Sequence, residues 1–284
     1  MRPIVLVHGI ANPNSLGWFI RRWNIPLLGS FETFQYFRGV AAHLARNGFE
    51  NVLEPTIDFA APSAERAETL KTAVITYLGE TGAEKVHLIA HSMGGLDSRR
   101  MIIDVGMADK VASLTTIGTP HLGTVLADDV IDNKGGDELI RAARALVNFD
   151  LEGGRDLRVN VCAELNQRLA DDEARNDVVY KTYSSQPAKD MLVLPFSLTY
   201  KLIEDEKEGP SDGLVPVSSQ KWTARIEGNG VGKTVEQKDF PIDADHLNQM
   251  GWWKHNELLN PRRRELEETV RNVYLEITQS VQHL

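Results

Sequence analysis

The chain holds a single cysteine, Cys162, among 284 residues, so no two parts of it can be joined by a disulfide and the fold must stand on packing. No apolar run is long enough to cross a bilayer, which argues against stable membrane insertion. The first residues lack the succession of charged start, long apolar stretch and small-residue cleavage site that marks a leader peptide. The expectation is a cytoplasmic protein, or one exported without a cleaved signal. Cationic charge is also short: 31 Lys and Arg stand against 40 Asp and Glu, a formal net charge of -9. That balance argues against nucleic acid and anionic membrane surfaces as partners. There is no glycine-rich phosphate loop with a following Lys-Ser, no H-E-x-x-H and no Cys/His cluster, so no cofactor or metal is called for by a motif. Internal repeats and low-complexity segments are absent, and no protein partner is implied.

What is present is ordinary for a globular protein: 42% hydrophobic and 25% charged residues, enough for one α/β domain over residues 1–284. Strand and helix signals alternate. Residues 4–7 read as a buried strand ending in His8-Gly9, 39–47 as a helix, 49–53 as a strand, 63–79 as a helix, 86–90 as a strand and 96–105 as a helix. Residues 111–117 and 178–183 read as further strands, and 264–281 as an amphipathic helix. This order predicts a mostly parallel, doubly wound sheet. Residues 125–175 carry no strand signal but two helical ones, 139–147 and 159–169, and read as a helical lid or cap inserted after a strand end. The apolar run 191–200 reads as another strand or as part of a pocket, and 228–232 as a glycine-rich turn.

The stretch 86–95, VHLIAHSMGG, is the one around which the chemistry gathers. A buried strand runs into a serine followed closely by two glycines, the pattern that lifts a hydroxyl above the carboxyl end of a parallel sheet at a strained strand-to-helix turn. Ala90 stands where the usual pattern has a first glycine, and Gly94 keeps the second. Ser92 alone would equally serve as a helix cap. A serine hydroxyl becomes a nucleophile only beside a base that is itself oriented by an acid, and in this fold the chain order is nucleophile, acid, histidine. Asp212, in Ser211-Asp212-Gly213, and His246, in the polar loop DADHLNQM, meet that order. Asp212 by itself would read as a turn residue. Asp243 and Asp245 are rivals for the acid, but as neighbours of His246 they reach its far nitrogen poorly. His8 and His121 read as loop-orienting residues, His87 lies in the strand, and His91 points away from Ser92. The developing oxyanion needs donors, and the backbone amides of Met93 and Ile10 are the candidates, one heading a helix and one placed by the Gly9 turn. Trp18, Phe19, Trp23, Phe31 and Phe34, within residues 11–37, read both as a small satellite core and as one wall of an apolar substrate pocket.

Several segments together resemble the bacterial triacylglycerol lipases of the Pseudomonas, Burkholderia and Proteus type: LVHGI, KVHLIAHSMGGLDSRR, KVASLTTIGTPHLGT, SDGLVPVSS and DHLNQMG. The resemblance implies an α/β-hydrolase fold, with Ser92 as nucleophile, Asp212 as acid, His246 as base, and the Ile10 and Met93 amides as the oxyanion hole. It implies long-chain acylglycerols as substrates under a movable helical lid, while the aromatic wall of residues 18–34 favours a neutral acyl ester or lipid of medium- to long-chain acids. It also implies a structural calcium, held by Asn248 and Asp190 at the positions where the family carries carboxylates. Asn248 has no charge, and a hard cation prefers carboxylate oxygens, so that site is weakened or lost here. Segment 126–147 is more charged than a membrane-facing lid, which favours a lipase-like carboxylesterase as strongly as a true lipase. A thioesterase or polyester hydrolase would use the same machinery, and an inactive hydrolase fold serving as a binding module is the alternative outside enzymology.

Overall fold

A computed structural model describes residues 1–9, 35–132, 152–188, 196–205, 208–252 and 263–284. Ile10, Trp18, Phe19, Trp23, Phe31, Phe34, Asp190 and the helix read over 139–147 lie outside these residues.

Seven strands form one sheet in the order β2-β1-β3-β4-β5-β7-β6. They are β1 (Ile4–Val7), β2 (Val52–Leu53), β3 (Val86–His91), β4 (Val111–Ile117), β5 (Val179–Ser184), β6 (Arg225–Gly228) and β7 (Val231–Asp239). All neighbours pair parallel except the β6–β7 hairpin at one edge. The sequence reading found the glycine turn between β6 and β7 but not the strands themselves. Their side chains are mostly charged or exposed, so the alternation that betrays a half-buried strand is faint. The strand read over residues 49–53 shortens to the two residues of β2 at the opposite edge.

The parallel strands are apolar on both sides because helices cover both faces. On one face Val5, Val7, Leu88, Ala90 and Leu114 pack against Ala67, Leu70 and Val74 of α2 (Ser63–Thr81) and against Met101 and Ile102 of α3 (Gly94–Ile103). On the other, Ile4, Leu6, Ile89 and Ile117 meet Val40 and Leu44 of α1 (Val40–Arg46), together with Val270, Val273, Tyr274 and Ile277 of α9 (Arg263–Val281). From β1 the chain passes to β2 on one side and then crosses to β3 on the other. The crevice at the carboxyl ends of β1 and β3 is therefore a topological switch point, where open α/β sheets place their ligands.

A third apolar cluster joins the segment after β4 to the start of α3. Leu126, Ala127 and Val130 of α4 (Val125–Asp132) and Cys162, Leu165 and Leu169 of α6 (Val159–Arg175) pack with Met93 and Leu96. The short helix α5 (Glu152–Arg155) lies between them in sequence. Arg158 ties this layer together, reaching Asp128 at 2.8 Å and Asp132 at 2.9 Å. The described part of the apolar run 191–200 belongs to a helix, α7 (Phe196–Asp205), which corrects the strand reading: a short apolar run does not by itself separate strand from buried helix. Beyond it, α8 (Val217–Lys221) follows the Asp212 loop.

Candidate active site

β3 delivers Ser92 to the carboxyl edge of the sheet with φ at 56°. A non-glycine residue is strained in that left-handed region, and the surroundings hold it there. Its N–H donates to the Ile117 carbonyl at 2.9 Å, and the Thr119 hydroxyl donates to its carbonyl at 2.8 Å. Ile117 ends β4, and Thr119 follows it in the segment GTPHLGT. The helix that follows must start very close to β1, since a Cβ at Gly94 would come within 2.5 Å of the His8 carbonyl oxygen. A Cβ at Gly9 would similarly meet the Ser92 Cβ at 2.5 Å. The glycines thus set how tightly the β1 turn and the serine turn nest, while Ala90 is buried in the core without needing to be one.

The structure brings Ser92, His246 and Asp212 together. Ser92 Oγ lies 2.9 Å from His246 Nε2, and His246 Nδ1 lies 2.7 Å from Asp212 Oδ2. Ser92 is 6%, His246 5% and Asp212 0% exposed, so the line of three is almost wholly shielded from water. The Asp212 loop reconciles the two readings of that residue. Oδ1 accepts the N–H groups of Leu214 at 3.0 Å and Val215 at 2.8 Å, closing a turn, while Oδ2 faces the imidazole. His246 is anchored at its own backbone, where its N–H donates to the Asp212 carbonyl at 3.0 Å. With Asp212 Oδ2 accepting from Nδ1–H, the lone pair of Nε2 faces the serine hydroxyl, the tautomer needed to take its proton. Asp245 turns back into its own loop, its Oδ1 accepting the N–H groups of Leu247 and Asn248 at 2.9 Å each.

The Met93 amide immediately precedes α3, whose N-terminal dipole points at the serine. His8 orients the loop beside it: Nδ1 lies 3.0 Å from the Gly9 carbonyl, and Nε2 accepts the Ile57 N–H at 3.0 Å. Burial lowers its pKa, keeping the ring neutral in this role. His121 likewise bonds Thr116 at 2.9 Å and stacks on Trp222 at 4.6 Å, away from the serine. His91 departs from its sequence reading in one respect: its ring lies 4.6 Å from that of His246, in tilted contact. Gln249, Tyr36 and Thr119 also border the site; Thr119 and Gln249 lie in the segments GTPHLGT and DHLNQMG, but neither reads as a site residue from the sequence.

Asn248 does not fit a calcium ligand. Its side-chain oxygen accepts the Asp245 N–H at 3.1 Å and its nitrogen donates to the Trp252 carbonyl at 2.8 Å, so both ends close the chain's own turn. Among the described residues no group of three or more His, Cys, Asp or Glu could hold a metal ion, and no helix is long and apolar enough to cross a membrane.

A mostly parallel sheet of this order, with a serine on a strand-to-helix turn at the switch point, is the arrangement of the α/β-hydrolase fold. Residues 64–140 match the family described as PGAP1-like alpha/beta domain. The mature form of a lipase from Bacillus licheniformis superposes with a TM-score of 0.64 at 19% identity, covering 93% of this chain and 91% of that one. A metagenomic carboxyl esterase superposes with a TM-score of 0.62 at 17% identity, covering 99% of this chain and 76% of that one. The chain has the α/β-hydrolase fold. Within it, the sequence is similar to bacterial triacylglycerol lipases: that of Pseudarthrobacter phenanthrenivorans is 34% identical over 132 residues, 46% of this chain and 36% of that protein. The matched segment thus spans about a third of that relative's length.

Proposed function

We propose that this protein is a serine carboxylic-ester hydrolase of the lipase and esterase kind, working through an acyl-enzyme on esters of medium- to long-chain acids. The observation that carries the reading is the unbroken line Ser92, His246, Asp212, two hydrogen bonds long and nearly buried. In that line His246 Nε2 takes the proton of Ser92 Oγ as the oxygen bonds to the ester carbonyl carbon. The carbonyl oxygen becomes an oxyanion, stabilised by the Met93 and Ile10 amides. Collapse of the intermediate breaks the bond to the alcohol oxygen, which receives the proton from His246, and leaves the acyl group on Ser92. Water then attacks that acyl group, gives its proton to His246, and the free acid departs as Ser92 recovers its hydrogen. Asp212 holds the imidazole in the required tautomer throughout.

Residues 1–284 act in this reading as one domain, with 125–175 as a helical cap beside the site and Trp18, Phe19, Trp23, Phe31 and Phe34 as the apolar wall for the acyl chain. Each buried methylene of that chain contributes about 0.8 kcal/mol, which favours longer acids over acetate. The Arg158 bridges to Asp128 and Asp132 and the charge on α4 support a cap that stays in place rather than one that spreads on oil. The chemistry calls for no metal, and the Asn248 bonds support calcium independence. Excess chelator should move the melting temperature by less than about 2 °C.

A p-nitrophenyl ester series from acetate upward, beside a triglyceride assayed across its solubility limit, tests the reading. The expected result is a specificity constant that rises with acyl length and steady activity on dissolved ester. A maximum on acetate would overturn the acyl pocket, and a steep rise confined to droplets would overturn the fixed cap. Faster turnover of the matched thioesters would move the substrate class to thioesters.

A further inference from the structure

Behind the three residues of the site runs a second set of buried hydrogen bonds, all of which pass through one side chain. The Gln249 amide nitrogen donates to Asp212 Oδ2 at 2.9 Å, the same oxygen that faces His246, and to the Ser185 hydroxyl at 2.6 Å. Its amide oxygen lies 2.9 Å from His91 Nε2. An amide oxygen can only accept, so His91 carries its proton on Nε2. Its Nδ1 must then accept, and the Tyr36 hydroxyl donates to it at 2.8 Å. The Tyr36 oxygen in turn accepts the Gly9 N–H at 3.0 Å, at the turn that leads to Ile10. Every donor in this run meets an acceptor in one direction only. Turning the Gln249 amide over would set its NH₂ against His91 Nε2–H and its oxygen against the Asp212 carboxylate, so the orientation is fixed by both ends.

Three further features hold the amide where it is. Gly118 has φ at 59° and a Cβ there would collide with Gln249 Oε1, so the first glycine of GTPHLGT leaves the room that this side chain fills. The Gln249 carbonyl accepts the Tyr274 hydroxyl of α9 at 3.1 Å. Complete burial, with the neighbouring His246, lowers the pKa of His91 well below its ordinary value, so this ring stays neutral and keeps its single donor.

We infer that Gln249 is the positioning residue of the hydrolytic site, setting the Asp212 carboxylate for His246 and tying it through His91 and Tyr36 to the turn at Gly9. The inference rests on the ester-hydrolase reading above. Asp212 Oδ1 is already held by two backbone N–H groups. Among the described residues Gln249 is the donor at Oδ2 besides the imidazole, and it restrains the oxygen that orients the ring. The effect belongs to turnover and not to substrate binding, because the run acts through Asp212 on His246.

Gln249→Met, Gln249→Asn and Gln249→Glu would be assayed on a soluble p-nitrophenyl butyrate, with active sites counted by phosphonate titration. The methionine matches the volume, the asparagine is one methylene too short to reach Asp212, and the glutamate sets a second carboxylate beside it. The expected kcat per titrated site falls about 10- to 100-fold for methionine and asparagine and at least as far for glutamate, with KM within about twofold. If the methionine variant fails to fold, the two polar replacements carry the test. In an Asp212→Ala background Gln249→Met should change the residual rate by less than about twofold, since a residue acting through Asp212 loses its effect with it. A kcat within about threefold of the parent in these variants, with Ser92 still taking phosphonate, would overturn the inference. So would a full loss that persists in the Asp212→Ala background. Failure of Ser92 in the unaltered protein to react with phosphonate would instead overturn the hydrolase reading.

Discussion

Two fully buried carboxylates of this protein, Glu173 and Asp212, are kept in opposite ways. Glu173 in α6 meets Arg99 of α3 in a two-point contact, at 2.7 and 2.9 Å, and the same guanidinium lies 4.0 Å over the Trp222 ring. Among the described residues no Lys or Arg meets the Asp212 carboxylate, which accepts from Leu214, Val215, Gln249 and His246. A carboxylate matched by a permanent cation is a lock between helices, its charge cancelled where it stands. One held by backbone and amide N–H groups leaves an oxygen facing the imidazole. Arg66 and Asp97 repeat the locked arrangement between α2 and α3, with a further bond from Arg66 to Asp156 at 3.1 Å. The ion pairs thus brace the scaffold around the site, and among the described residues no Lys or Arg reaches the acid.

The sharpest way to break the contrast is Asp212→Asn. It keeps the size of the side chain and both turn bonds, but the amide favours the wrong imidazole tautomer, and turnover should fall by about 10³–10⁴ with little change in melting temperature. Full activity in that variant would reassign the acid. Glu173→Gln should behave in reverse. It leaves Arg99 buried without its counter-charge, costing about 3–5 kcal/mol in denaturant unfolding, while kcat per titrated site stays within a few-fold.

How far each arrangement could be read in advance follows from where its parts lie in the chain. Ser92 was legible because a buried strand, a small turn and two glycines are consecutive. Asp212 and His246 were legible because each sits in a polar loop in the required order. Gln249 was not, since the run from Gly9 through Tyr36 and His91 to Asp212 joins residues up to 158 positions apart and no local pattern encodes it. Its one local sign is position: it stands three residues beyond His246, at the end of the loop in the short turn Asn248–Met250, on the side that faces back to the acid. The hairpin β6–β7 escaped for a different reason, its exposed edge carrying charge in place of apolar alternation. Residues 196–205 escaped because an apolar run looks alike in a strand and in a buried helix.

A third carboxyl extends the comparison to a weaker case. Burial raises the Glu54 carboxyl from 4.5 to about 7. It keeps its proton in the fold after the unfolded chain has lost it, so its contribution is fully present below about pH 4.5 and is lost as pH rises through about 7. Glu54→Gln should therefore melt higher than the parent at pH 8, with the gap narrowing toward pH 5. An equal gap at both values would show that the difference comes from packing and not from the proton.

The central claim is that Ser92 is the nucleophile, activated through His246. Intact-mass measurement after treatment with an organophosphonate tests it most directly. The account predicts one adduct per chain, located on the peptide containing Ser92, absent from Ser92→Ala and formed far more slowly in His246→Ala. An adduct that persists at full yield in Ser92→Ala would contradict it.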